Sequence, residues 1–151
     1  LFGGDGEFTK LLQSKLSQLK RSATFHIIDS SISSLDRARE LLKEYEKVFV
    51  HPPRYIQSNK KVFQGVPEPP KFVTAIGGIC NEVVSRQEAI GITQCVYEEM
   101  AKGGIFLVTG RTGVLLNTED FSRIGFRVRQ KTIPENVIYF NSPYQLYVLE
   151  K

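Results

Sequence analysis

The chain begins with a run of glycines, Leu1-Phe2-Gly3-Gly4-Asp5-Gly6-Glu7-Phe8, that leads directly into a helical pattern. About twenty residues later the short apolar run Phe25-His26-Ile27-Ile28 ends in Asp29 and Ser30. No other feature narrows the fold as much. Glycines let a backbone turn sharply and approach a ligand closely, and a helix starting there directs unpaired N–H groups at an anion. A carboxylate closing the next strand can accept hydrogen bonds from ribose hydroxyls. This order of glycine loop, helix, strand and acid is the one nucleotide-binding α/β folds use.

The rest of the chain alternates in the same way. Residues 7–20 are predicted as a helix, with Phe8, Leu11, Leu12, Leu16 and Leu19 inward and lysines on the other face. A strand over 23–29 follows. A second helix is expected from Ser33-Ser34-Leu35-Asp36, which matches a capping box, with Leu35, Ala38, Leu41, Leu42 and Tyr45 as its inner stripe. Lys47 to Val50 reads as a short strand stopped by His51-Pro52-Pro53, and residues 54–70 as a long loop. A strand over 71–76 ends at Gly77-Gly78. Ser85-Arg86-Gln87-Glu88 caps a helix running to about Lys102, and Ile105 to Thr109 is the strongest buried-strand signal. After a short helix near Thr118, two β runs, 126–133 and 144–149, have no room for a helix between them and are expected to pair antiparallel. The fold class expected is α/β: a Rossmann-like three-layer sandwich whose sheet is mostly parallel, with an antiparallel terminal strand.

A chain of 151 residues is long enough for one domain with a real core, so a single domain over 1–151 is expected. Leu1 and Phe2 alone are too short for a first strand, so most of that strand is expected to lie upstream. A net charge of +4 is too mild to argue for nucleic acid. Cys80 and Cys95 show neither disulfide nor zinc spacing and read as buried thiols of a reducing, cytoplasmic compartment. No metal site and no membrane span is expected. His26, flanked by apolar residues, reads as a core histidine. His51 stands at the carboxyl end of a strand, where ligands of open α/β sheets bind, but it reads equally as a solvated loop residue. Asp29 also reads as a turn or cap residue before Ser30-Ser31. Arg127, Arg129 and Lys131 share a face by period-two spacing, either as a solvated edge or as a contact for an anionic partner such as RNA.

This order resembles that of the class I S-adenosylmethionine-dependent methyltransferases, over nearly the whole chain. Gly3-Gly4-Asp5-Gly6 is similar to the family's cofactor loop, and Asp29 to its ribose-binding acid. Glu99 to Val108 resembles the helix, K-G-G turn and fifth strand of these enzymes. Ile124 to Val128 resembles the start of the sixth strand, and Tyr144 to Val148 the reversed seventh. The resemblance implies methyl transfer from S-adenosylmethionine to an acceptor whose class it does not name. It implies cofactor contacts at Gly3, Gly4, Asp5, Gly6, Asp29, Ser30, His51 and Gly77, and acceptor contacts at Asn81 and Glu82. No catalytic dyad is expected, because aligning a methyl group with its acceptor needs mainly proximity. Phe2 stands where the family has its first loop glycine, His51-Pro52 where an acid often meets the adenine, and Lys71 where the fourth strand is usually preceded by Asp. These departures motivate a second reading, a non-catalytic binding or scaffolding module. The GGDG loop also suits an aminopropyltransferase, but Gly77-Gly78-Ile79-Cys80-Asn81 lacks that family's acidic loop.

Overall fold

The structure, a computed structural model, describes all residues except 58, 59, 81, 111, 112, 133–137, 140, 141 and 144. The chain divides into two units, Leu1–Tyr55 and Ile56–Lys151.

In unit 1, α1 spans Glu7–Gln18, β1 Phe25–Ile27, α2 Ile32–Leu42 and β2 Val48–Val50. The strands pair in parallel, Phe25 opposite Val48 and Ile27 opposite Val50. The period-2 pleat sends Ile27, Val48 and Val50 to one face. There they pack with Leu35, Ala38 and Leu42 of α2, joined by Leu41 and Tyr45. The stripe expected on α2 is therefore the one observed. Its start is not: the N-cap is Ser31, whose hydroxyl accepts from Ser34 N–H at 3.3 Å. The reason is local. Asp29 Oδ1 accepts from Ser31 N–H at 2.8 Å, which turns the chain two residues earlier than the Ser33 reading required. The stripe expected on α1 is also not buried, since no α1 residue is, and Leu11 and Leu19 are 56% and 69% exposed. The helix stops at Gln18, before a left-handed Lys20 with φ 53°.

In unit 2, β3 (Phe72–Ile76), α3 (Arg86–Glu99), β4 (Ile105–Gly110), α4 (Thr118–Ile124), β5 (Arg127–Thr132) and β8 (Gln145–Glu150) follow the expected alternation. A two-stranded hairpin of β6 (Ile138–Tyr139) and β7 (Ser142–Pro143) lies between β5 and β8. The sheet order is β3-β4-β8-β5, with β3 and β4 parallel and β8 antiparallel to both β4 and β5. The expected antiparallel strand is thus present, but inserted between two others. A mostly parallel sheet does not describe this unit, in which one of three pairings is parallel.

Phe106, Val108, Phe121, Tyr147 and Leu149, all essentially inaccessible to solvent, anchor the core of unit 2 with Ala89, Ile92 and Val96 of α3. Phe121 and Tyr147 meet at 5.0 Å between ring centroids. Both helices carry full capping boxes, Ser85 with Glu88 and Asn117 with Asp120. Buried Asp120 also takes a bidentate hydrogen bond from Arg86, 2.8 Å to each oxygen. Burial raises its pKa, while the Asn117 N–H and the Arg86 guanidinium outweigh that and hold the carboxyl below its usual range. The loop before β3 is tied down by Glu99, whose carboxylate accepts Val62 N–H at 2.7 Å and Phe63 N–H at 3.1 Å.

The basic face expected on β5 is broken by a bulge. Pairing shifts between Val128 and Gln130, so Arg127 lies opposite Glu150 while Lys131 lies opposite Tyr147. Glu150 and Tyr147 alternate to opposite faces of β8, so Arg127 and Lys131 do as well. Arg129 pairs with Glu150, and Lys131 sits over the Tyr147 ring at 5.5 Å.

Candidate functional site

Six of the residues expected to meet a cofactor lie together at the glycine loop and the end of β1, with His51 just past β2. Gly3 N–H donates to Ile28 O at 3.1 Å, laying the loop along the strand end. A Cβ on Gly3 would stand 2.5 Å from Ile27 Cγ2. Gly6, the N-cap of α1 with φ 86°, is equally confined: a Cβ there would stand 2.7 Å from Leu42 Cδ1 and 3.2 Å from Ala38 Cβ. Those two glycines are explained by packing against β1 and α2. Gly4 is not. It is left-handed at φ 55°, yet a Cβ on it would meet nothing within 4 Å. Its N–H donates to Asp29 Oδ2 at 3.0 Å, joining loop and strand end across 25 residues.

Asp29 therefore serves as the tie of this unit. One carboxylate oxygen holds Gly4, the other holds Ser31, and its carbonyl accepts Arg54 N–H at 2.9 Å. Each carboxylate oxygen keeps a second lone pair for a hydroxyl donor. Asp5 Oδ1 accepts Glu7 N–H at 3.4 Å at the start of α1, and Ser30 is exposed. His51 N–H donates to Ile27 O at 3.0 Å, and its carbonyl accepts from Arg39 Nη2 at 3.3 Å.

His26 is a partner that the sequence reading missed. It is half-buried rather than a core residue, and its Nδ1 lies 3.0 Å from His51 Nε2. Period-two counting puts His26 on the face of β1 away from Ile27. Its pairing with His51 depends on the β1–β2 register, which no local pattern reports.

Gly77 and Glu82 belong to unit 2. Gly77, left-handed at φ 69°, donates its N–H to Thr109 O at 2.7 Å and accepts from Cys80 Sγ at 3.0 Å; Glu82 is exposed. Asn81 lies outside the described residues. Cys80 is buried, as expected, while Cys95 is half-buried, its thiol pushed up by burial and by Glu98 and Glu99. Among the described residues no cluster of three or more His, Cys, Asp or Glu could hold a metal ion, and no helix is long and apolar enough to cross a membrane.

No family model matches the chain, and neither does any curated protein. Solved structures do. An S-adenosylmethionine-dependent methyltransferase from Clostridium acetobutylicum aligns with 99% of this chain and 81% of its own, at TM-score 0.72 and 11% identity. Magnesium protoporphyrin IX methyltransferase from Synechocystis PCC 6803, solved with S-adenosylmethionine bound, aligns with 99% of this chain and 67% of its own, at TM-score 0.70 and 10% identity. A pericyclic reaction enzyme aligns with 99% of this chain at TM-score 0.71 and 11% identity, but this chain spans only 41% of that protein. At such identities the likeness speaks for architecture and not for reaction. The chain has the Rossmann-like α/β fold of the class I S-adenosylmethionine-dependent methyltransferases.

Proposed function

We propose that this chain binds S-adenosylmethionine through Gly3, Gly4, Asp5, Gly6, Asp29, Ser30 and His51 and serves methyl transfer to an acceptor. Gly77, with Asn81 and Glu82 on the acceptor side, and the three-layer arrangement expected from the sequence belong to the same reading. The observation that carries it is the Gly4–Asp29 hydrogen bond with open space beside Gly4. It joins a backbone able to approach a ligand closely to a carboxylate with lone pairs to spare. Asp29 would accept from the ribose hydroxyls while keeping the loop in place. The first turn of α1, whose N-cap makes no side-chain hydrogen bond, would favour negative charge nearby. The bound sulfonium supplies an activated methyl group, and the chain's task is to hold it in line with a nucleophile.

One observation favours the second reading, a binding module without catalysis. The residue after β2 is His51 rather than an acid, and its Nε2 is already engaged by His26. Calorimetric titration with S-adenosylmethionine and S-adenosylhomocysteine, followed by an acceptor screen with labelled methyl donor, separates the two. Asp29→Asn keeps the shape and one acceptor, so a folded variant is expected to lose about tenfold or more in affinity. Unchanged affinity in that variant removes the ribose assignment. Cofactor binding without turnover on any acceptor favours the module.

A further inference from the structure

The two histidines of this chain, the only two it has, meet in unit 1. His26 sits in β1 opposite Phe49 of β2, so both project from the face away from α2. Phe49 stacks on the His26 ring, with centroids 5.2 Å apart and planes inclined by 15°. His51 follows two residues after Phe49 and brings Nε2 to 3.0 Å from His26 Nδ1. In the neutral pair a single proton fills that gap, so one ring donates, the other accepts, and the two tautomers are set together.

The pair closes a ring of contacts around Asp29. The segment that carries His51 is bonded to the end of β1 by His51 N–H on Ile27 O and by Arg54 N–H on Asp29 O. Asp29 in turn grips Gly4 and Ser31. We propose that His26 and His51 form a proton-operated latch: shut while the pair carries two ring protons, as two neutral rings, or three, with one cation sharing its proton across the gap, it opens when a fourth makes both rings cations, freeing the strand end that orders Asp29 and the glycine loop.

One extra proton can be shared as N–H⁺···N across the gap, which a hydrogen bond tolerates. A second places two like charges 3.0 Å apart, and the rings must separate. The surrounding charges make this harder to accommodate. Arg54 lies on the same segment, and Arg39 reaches the His51 carbonyl from α2, itself held by Asp36. Asp29, the nearby carboxylate, is engaged by backbone N–H groups. Burial lowers the pKa of both imidazoles, and for His51 the neighbouring His26 and Arg54 lower it further, so the latch works below the ordinary imidazole value of 6.5. Between that value and the depressed folded values, the unfolded chain binds more protons than the folded one. Stability from the pair is therefore complete above 6.5 and falls as the pH drops below it.

As regulation of the nucleotide site, the proposal rests on the reading above, but its test does not need a ligand. Nuclear magnetic resonance of the full chain can follow both histidines across a pH titration together with the amides of Gly4, Ser31 and Arg54. The expected result is two coupled imidazole titrations below 6.5, with the three amides moving at the lower of the two midpoints, where the second ring becomes a cation. His26→Asn keeps an amide near the position of Nδ1 but cannot titrate, and should hold the three amides still. S-adenosylhomocysteine affinity should fall by about tenfold from about pH 7.5 to about pH 5.5 in the natural chain, and by less than about twofold in His26→Asn. Independent titrations near 6.5, or amides unmoved through the titration, overturn the latch. If His26→Asn does not fold, the natural chain's resonances decide alone. If no ligand binds at any pH, the nucleotide reading falls while the titration still decides the latch.

Discussion

Unit 2 is held by large buried side chains and by helix ends closed with their own capping groups, whereas unit 1 is held by glycines, one carboxylate and a pair of imidazoles. Phe106, Phe121, Tyr147 and Leu149 are essentially sealed from solvent in unit 2. Unit 1 has a small apolar cluster around Leu35 and Leu42, and a first helix with no buried residue. Hydrophobic burial is non-directional and tolerant of small shifts, while hydrogen bonds between fixed backbone atoms and a carboxylate are directional. The contrast separates a region held by burial from one held by directional hydrogen bonds.

Substitutions can break that contrast, beginning with the largest expected effect. Phe121→Ala should cost about 3–5 kcal/mol in a denaturant titration, because it empties a sealed site against Tyr147. A loss under 1 kcal/mol would mean that the unit 2 core is not the stabilising centre. Gly6→Ala should cost about 1–3 kcal/mol, since it forces a side chain into a left-handed backbone against Leu42. Gly4→Ala meets nothing, so its cost in stability should stay near 1 kcal/mol while nucleotide affinity falls by about tenfold. If the two glycine variants change stability and affinity alike, the division between packing glycines and a ligand-facing glycine is wrong. Asp36→Ala removes an exposed i, i+3 pair with Arg39 and should stay within about 0.5 kcal/mol by thermal unfolding.

The legible parts of the sequence were the local ones. The Ser85–Glu88 capping box and the α2 stripe depend on residues a turn or less apart, and both stand where expected. The cap of α2 expected at Ser33 falls at Ser31 instead, because the carboxylate of Asp29 takes Ser31 N–H and turns the chain earlier. Arg-Val-Arg-Gln-Lys in β5 alternates on paper, but a bulge that answers to the β8 register moves Lys131 to the other face. Pairing of β8 between β4 and β5 and of His26 with His51 are contacts across 14 residues or more, invisible to any short-range period. Of the candidate site, the loop and its acid could be read from residue types. What could not be read is that Asp29 is also the unit's structural tie, since that depends on where Gly4, Ser31 and Arg54 place their N–H groups.

The central claim is that nucleotide binding resides in unit 1, at the loop that Asp29 holds. The most direct measurement is a map of backbone amide shifts in the full chain on addition of S-adenosylhomocysteine. Saturable shifts at Gly3 to Gly6, Asp29 to Ser31 and His51 are the predicted result. Shifts that spare the glycine loop and Asp29, or none at millimolar ligand with the chain folded, would contradict the account.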